Sequence, residues 1–312
     1  MNPESNLYDL AIIGGGPAGV GAGVYASRKK LKTVLITKDF QGQSSVSEGI
    51  ENWIGTIKIS GADLAKSLEN HLRAYADDTV DIKTGEFCSK IEKTDSGFKV
   101  ATNKSSYEVK TVLITAGSRR RKLEAKGADK FEHNGITYCA SCDGPLFAGQ
   151  DVAVVGGGNA AFETVAQLAA YCKSVTLINR SENFRADPIT VEKISKNPKV
   201  KILTNTVVVE AKGDKFLKSI ILGNLISKKE TGLPISGVFV EIGSVPNTDF
   251  SKDVVEHDQY NRIVVDPKNQ ESKTEGIWAA GDCTDGLYHQ NNIAVGDAIK
   301  AVEDIYLHIH TR

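Results

Sequence analysis

The chain has 312 residues, 40% hydrophobic and 25% charged, with 38 Lys plus Arg against 39 Asp plus Glu and a net charge of -1. That length suggests about two domains with full cores, and the even charge balance gives no support to a nucleic-acid-binding or membrane-surface role. No stretch approaches the ~20 apolar residues of a membrane helix. The start, MNPESNLYDL, lacks the basic-then-apolar pattern of a secretory signal, so a cytoplasmic location is expected.

The informative excess is the 29 glycines, which gather in GGG clusters. In chain order, an apolar strand at Tyr8–Ile13 runs into GGGPAG, a GxGxxG at Gly14, Gly16 and Gly19. A helix-like stretch, Val20–Lys30, and a second strand, Thr33–Thr37, complete a βαβ unit. The free N–H groups and partial positive charge of a helix N-terminus attract a pyrophosphate, and glycines are expected where a Cβ would collide with the phosphates. The strand ends without an acid, and Asp39 lies two residues late for a ribose contact. Phe98–Ala101 and Glu108–Val112 alternate as antiparallel covering strands, and Thr111–Gly117 reads as a buried strand ending in glycine.

Tyr138–Gly144 contains Cys139 and Cys142 as a CxxC, a spacing that closes a disulfide and lowers one thiol's pKa so that its thiolate can attack. Asp143 is placed either to move the proton that thiol–disulfide exchange requires or to cap the local turn. Cys88, Cys172 and Cys283 have no partner at metal-ligand spacing, so no metal is expected and they read as buried small hydrophobes.

The βαβ pattern then recurs. Asp151–Val155 leads into GGGNAA, a GxGxxA at Gly156, Gly158 and Ala161, followed by a helix-like Phe162–Cys172 and a strand, Ser174–Asn179. From first glycine to strand end is 23 residues in both units, 14 to 37 and 156 to 179. Arg180 and Arg185 follow where a 2′-phosphate can be gripped, which favours NADPH, while the nearby Glu182 leaves NADH open. Val200–Val209 alternates as an antiparallel strand, Gly237–Gly243 and Gly276–Gly281 read as strands ending in glycine, and Ile293–His310 has helical periodicity. Two dinucleotide loops and a CxxC together define a chemistry in which a nicotinamide gives hydride to a flavin and the flavin reduces a disulfide.

On GGGPAG (14–19), ENWIG (51–55), TAGS (115–118), CASCDG (139–144), GGGNAA (156–161), EIGSVPNT (241–248) and TEGIWAAGDC (274–283), the chain resembles the low-molecular-weight, bacterial-type thioredoxin reductases. The segment YCASCDGPLFAGQDVAVVGGGNAA is also similar to the flavoprotein subunit of alkyl hydroperoxide reductase. The resemblance implies an α/β fold of two Rossmann-like, three-layer ββα domains. An NADPH domain at 117–243 would be inserted in an FAD domain at 1–116 and 244–312, with hinges at Gly117-Ser118 and Gly243-Ser244. It implies FAD contacts from Gly14, Gly16, Pro17, Ala18, Gly19, Gln43, Asn52, Ala116, Gly117, Gly281, Asp282, Gln290 and Ala294. NADPH contacts would come from Gly156, Gly158, Asn159, Ala160, Ala161, Arg180 and Arg185. Cys142 would face the flavin, Cys139 would attack the partner disulfide, and Asp143 would be the acid/base.

A homodimer acting on thioredoxin or a thioredoxin-like protein follows from the resemblance. NADH, ferredoxin or a peroxiredoxin system stand as alternative donors or acceptors, and a non-catalytic flavin protein is disfavoured by the intact CxxC-Asp. The chain departs from the family's HRRxxxR at Asn179-Arg180-Ser181, and has His289 where the family places Arg before Gln290. The run Arg119–Lys122 reads as a solvated basic loop, which an acidic partner could also use.

Overall fold

Tyr8–Ile13 is apolar on both faces because it lies inside a sheet covered on both sides, as central parallel strands do. The computed structural model describes residues 7–47 and 49–311. The chain divides into two compact units: residues 7–46, 50–119 and 245–311 form the first, and residues 120–244 with Ser47 and Gly49 form the second.

The first unit opens with β1 (Tyr8–Ile13), α1 (Pro17–Arg28), β2 (Thr33–Thr37), α2 (Gly61–Ala76) and β3 (Val80–Thr84), then β4 (Cys88–Thr94), β5 (Gly97–Thr102) and β6 (Ser106–Ile114). After β7 (Ser118–Arg120) come β8 (Ile136–Thr137), α3 (Ala140–Asp143), β9 (Asp151–Val155), α4 (Asn159–Ala169), β10 (Ser174–Ile178), α5 (Pro188–Ser195) and β11 (Val200–Leu203). The second unit ends with β12 (Thr206–Gly213), β13 (Leu217–Asn224), β14 (Glu230–Pro234) and β15 (Gly237–Val240). β16 (Ser244–Pro246), β17 (Ile277–Ala279) and α6 (Asn291–Thr311) follow.

Among the described residues, the first unit is built on a seven-stranded sheet in the order β3-β2-β1-β6-β5-β4, with β17 added to the C-terminal part of β6. β1, β2, β3, β6 and β17 run parallel, while β4, β5 and β6 form an antiparallel meander. Alternation along β1 sorts the core into two layers. Leu10 and Ile12 pack with α1 and α6, whereas Ala11 and Ile13 pack with Phe98 and Val100 of the meander. Each fully buried Leu or Ile stabilises this arrangement by roughly 1.5–3 kcal/mol. Trp278 of β17 is fully buried and its indole N–H donates to Asp304 Oδ2 of α6 at 3.0 Å, so the largest core side chain leaves no unpaired donor.

The second unit repeats the scheme. Its parallel sheet runs β11-β10-β9-β15-β8, with the antiparallel β12-β13-β14 as a separate sheet. Val152 and Val154 of β9 face Phe162, Val165 and Leu168 of α4, and Ala153 faces Val208 and Ile220 of the antiparallel sheet. Both units are therefore three-layer ββα folds of the Rossmann type. β7 and β16 pair with each other, and the Arg121 N–H donates to the Gly243 carbonyl at 3.0 Å.

Three sequence expectations are revised. Val200–Val209 is not one antiparallel strand. Its first half is β11, parallel to β10, and the chain turns at Asn205, whose φ of 49° an asparagine tolerates, before β12 begins. The helices begin earlier than their apolar periodicity suggests, α1 at Pro17 and α4 at Asn159, so each starts inside its fingerprint. The run Arg119–Lys122 is exposed but not merely solvated: Arg119 donates to Asn247 Oδ1 at 3.0 Å, Arg120 lies 3.8 Å from Glu241, and Lys122 lies 2.7 Å from Glu132.

Candidate active site

In the first unit, α1 begins at Gly16 with no side-chain cap, Pro17 in its first turn and no acidic residue there. Its N–H groups and dipole are left for an anion. The three fingerprint glycines do different work, which corrects the expectation that each keeps a Cβ off a phosphate. A Cβ on Gly14 would lie 2.3 Å from the Thr115 carbonyl oxygen, and Gly14 has φ 120°; a Cβ on Gly19 would lie 1.8 Å from the Gly14 carbonyl oxygen. Only Gly16 faces open space, with nothing within 4 Å of an added Cβ. That open edge is the one that fits a pyrophosphate.

The residues expected at the flavin come together in two groups. Gln43 Nε2 donates to Asp282 Oδ2 and to Ser118 Oγ, both at 3.0 Å, and His289 Nδ1 lies 3.4 Å from Asp282 Oδ1. Asn52 Nδ2 donates to Gln290 Oε1 at 3.0 Å, and Asn292 Nδ2 donates to the Asn52 carbonyl at 2.8 Å. Gly281 sits where an added Cβ would meet Ala294 at 3.1 Å and Ala18 at 3.6 Å, so the end of β17, the start of α6 and α1 converge. Ala116 and Gly117 lie beside this group, their carbonyls accepting from Asn247 Nδ2 and Asn247 N at 3.0 Å. A cavity of about 510 Å³ opens past the end of β2, lined among others by Lys38, Phe40, Lys66, Glu69 and Arg73. The uncapped start of α1 with open space at Gly16 fits the pyrophosphate of a flavin adenine dinucleotide.

In the second unit, α4 starts at Gly158, again uncapped and without an acidic first turn. An added Cβ on Gly156 would lie 2.4 Å from the Glu241 carbonyl oxygen, while Gly158 faces open space. Asn159 Oδ1 accepts the Asp187 N–H at 2.8 Å, and the Arg185 N–H donates to the Gly157 carbonyl at 2.7 Å, lacing the loop after β10 to the glycine turn. Ala161 is fully buried beneath that turn, while Ala160 is exposed beside it. Asn179, which in sequence looked only like a lost histidine, is buried and donates through Nδ2 to the Ser181 and Asn183 carbonyls at 2.8 and 3.1 Å. It shapes the turn that presents Arg180 and Arg185, whose exposed side chains hold no ion pair among the described residues. The Glu241 carboxyl is buried beside the same loop and accepts from Thr164 Oγ1 at 3.0 Å, and its burial pushes its pKa up.

The cysteine pair closes a disulfide within this unit, with Cα atoms 5.3 Å apart. Cys139 Sγ accepts the Cys142 N–H at 3.2 Å, and the Asp143 N–H donates to the Cys139 carbonyl at 3.0 Å, winding the motif into α3. Asp143 Oδ2 accepts from the buried hydroxyl of Thr137, and Oδ1 accepts from Ser47 Oγ at 3.4 Å. Nothing in the sequence singled out Thr137. Cys88, Cys172 and Cys283 are free and buried, and desolvation pushes Cys88 and Cys283 up to about 12, which makes them inert at neutral pH.

Two Rossmann-type units, each with an open glycine loop, and a disulfide in one of them define the class of fold to which the chain belongs. Residues 8–298 match the pyridine nucleotide-disulphide oxidoreductase family, and the chain belongs to it. It is 35% identical over 298 residues to a protein of Bacillus subtilis named NADH dehydrogenase, covering 96% of this chain and 58% of that protein. It is 35% identical over 307 residues to an alkyl hydroperoxide reductase subunit of Staphylococcus epidermidis, covering 98% of this chain and 60% of that one. The chain thus spans about three fifths of the length of these curated relatives. The crystal structure of thioredoxin reductase from Streptococcus pyogenes matches with a TM-score of 0.88 at 32% identity, over 99% of this chain and 100% of that one. Membership of this family implies FAD and a nicotinamide coenzyme. Among the described residues, no helix is long and apolar enough to cross a membrane.

Proposed function

We propose that this protein is a flavin-dependent disulfide reductase of the thioredoxin reductase type, carrying electrons from NADPH to the Cys139–Cys142 disulfide and on to thioredoxin or a thioredoxin-like protein. The observation that carries the reading is the disulfide closed in the same unit as the second glycine loop, in a chain whose first unit holds a separate open loop. FAD, when bound, supplies the two-electron relay between nicotinamide and disulfide. The loop from Gly14 to Gly19 holds its pyrophosphate on the N-terminus of α1, and Gln43, Asn52, Asp282, Gln290 and Ala294 orient the rest. The loop from Gly156 to Ala161 does the same for the nicotinamide coenzyme, with Arg180 and Arg185 gripping a 2′-phosphate. Asp143 exchanges a proton with the cysteine pair, Cys139 attacks the partner disulfide, and Cys142 resolves the mixed disulfide.

A second reading has a specific support. Asn179 and Ser181 stand where the resemblance expects His and Arg, and Glu182 lies in the same turn, so NADH as donor and a peroxiredoxin system as acceptor form the alternative. Anaerobic titration of the purified flavoprotein with NADPH and with NADH, followed by thiol counting, tests both. Faster bleaching of the flavin by NADPH with two new thiols is expected. Bleaching by NADH alone moves the donor to the second reading, and bleaching without new thiols removes the disulfide from the reaction.

A further inference from the structure

We infer that Thr137 is a positioning residue for the proton exchange at the cysteine pair: its hydroxyl claims one oxygen of Asp143, so that the proton is carried on the other. The inference rests on the role proposed above for Asp143. Thr137 is the last residue of β8, paired in parallel register with Phe239 of β15, and is 5% exposed. Its backbone is therefore set by the sheet and not by the redox state of the disulfide. Asp143 ends α3, one residue beyond Cys142, with its N–H on the Cys139 carbonyl. The Thr137 O–H donates to Asp143 Oδ2, tying the carboxylate of the short helix to the strand.

This bond makes the two oxygens of Asp143 unequal. Both oxygens face a buried hydroxyl, but Oδ2 accepts a close bond from Thr137, whereas the contact of Oδ1 with Ser47 Oγ is long at 3.4 Å, beyond the usual O–H···O range. Oδ1, the more weakly held oxygen, is therefore the one that takes up and releases a proton. Two electrons, supplied by a reduced pyridine nucleotide, break the Cys139–Cys142 S–S bond and leave two sulfur atoms that take up two protons in all. One of them comes from Asp143, whose Oδ1–H bond breaks as an S–H bond forms, and the other is the proton that arrives with the two electrons as the hydride of the reduced pyridine nucleotide. The carboxylate left behind keeps the Thr137 hydroxyl as a donor, which stabilises its negative charge. In the reverse direction the same carboxylate removes the proton from the thiol that attacks a partner disulfide.

The test uses the full-length flavoprotein and follows two rates after mixing with NADPH: bleaching of the flavin, and appearance of the Cys139 and Cys142 thiols by alkylation quench. Thr137→Val removes the hydroxyl at constant shape, and Thr137→Ala does so with a small gap. Either is expected to leave flavin content and bleaching intact and to slow thiol appearance by ~10-fold, a part of the 10²–10⁴ that a positioned acid/base contributes. Thr137→Ser keeps the hydroxyl and is expected to stay within ~3-fold of the wild type. The deciding comparison is made in Asp143→Asn, where Thr137→Val is expected to add no further loss, because a residue acting through Asp143 has nothing left to act on. An equal loss in both backgrounds, or none in the wild-type background, overturns the inference while leaving the proposed reaction standing. Failure of the wild type to form the two thiols with NADPH or NADH overturns the proposed reaction itself.

Discussion

The side-chain oxygen of Asn179 lies 2.4 Å from where a Cβ on Gly157 would stand, while its amide donates to the Ser181 and Asn183 carbonyls. The glycine turn and the loop after β10 therefore fit together through one asparagine. Gly157→Ala is expected to displace it and to destabilise the protein by about 1–3 kcal/mol, the usual cost of a core clash or lost buried bonds. Its affinity for the nicotinamide coenzyme should fall ~10-fold with flavin content unchanged. Thermal melting and coenzyme titration check this; an unaltered affinity would show that the turn does not shape the coenzyme site.

Arg180 and Arg185 are exposed and hold no ion pair among the described residues, so their removal leaves no charge stranded in the fold. Arg180→Ala with Arg185→Ala is expected to raise the KM for NADPH by ~10–100-fold, the loss of one or two charge-assisted contacts, and to leave that for NADH within a few-fold. Steady-state kinetics with both coenzymes decides; equal losses for the two would mean that the arginines do not read the 2′-phosphate.

The unequal glycines of the first loop give a contrast within three residues. Gly14→Ala must force a Cβ against the Thr115 carbonyl at 2.3 Å on a backbone with φ 120°, and misfolded or flavin-free protein is expected. Gly16→Ala meets nothing within 4 Å, so its fold should survive while flavin binding drops by an order of magnitude or more, about 1.4 kcal/mol per tenfold. Circular dichroism with flavin absorbance separates the two; a fully yellow Gly16→Ala protein would place the pyrophosphate elsewhere.

Burial pushes the Cys88 and Cys283 thiols up to about 12, so at pH 8 only about one molecule in 10⁴ carries the thiolate at either position. Native protein reduced by coenzyme should present two alkylatable thiols, mapped to Cys139 and Cys142, and all five only after denaturation. Mass spectrometry after iodoacetamide reads the count, and early labelling at Cys283 would contradict its burial.

Desolvation raises the Glu241 carboxyl above its ordinary 4.5, with the Arg120 charge and the Thr164 hydroxyl opposing the shift. A group that binds its proton more tightly when folded contributes stability that is fully present below 4.5 and is lost as pH rises through the folded pKa. Relative to the wild type, Glu241→Gln should therefore melt progressively higher as pH climbs from 4 to 8. A Tm gap that stays constant over that range would show that the carboxyl titrates alike in both states.

The nucleotide-binding fold was legible because its signals are local. A strand feeding a glycine turn and a helix constrains φ, close packing and the helix N-terminus within a dozen residues, and it does so twice. The disulfide was legible for the same reason. The contact between Gln43 and Asp282 spans 239 residues, and no periodicity announces it; only the family resemblance placed those residues together. The structural role of Asn179 was not legible, because it fills the space above Gly157, a relation between two strand ends. Thr137 is six residues from Asp143, yet a threonine ending a two-residue strand has no pattern of its own. The break in Val200–Val209 falls at Thr204-Asn205-Thr206, where threonines suit a strand as well as a turn, so only the left-handed φ of 49° at Asn205 separates two strands there.

The crossings at β7 and β16 have a consequence for how such a chain can be cut. The ends of the second unit meet at the 3.0 Å backbone bond from Arg121 to Gly243, and the ends of the first meet at the 3.0 Å backbone bond from Asn247 to Gly117. Each half thus closes on itself within the span of one hydrogen bond. Residues 120–244 are one continuous stretch of the second unit, to which Ser47 and Gly49 are added from an earlier part of the chain. Each unit thus closes around its own glycine loop, so a cut within one loop leaves the other loop's surroundings intact, and the disulfide shares the fate of the second.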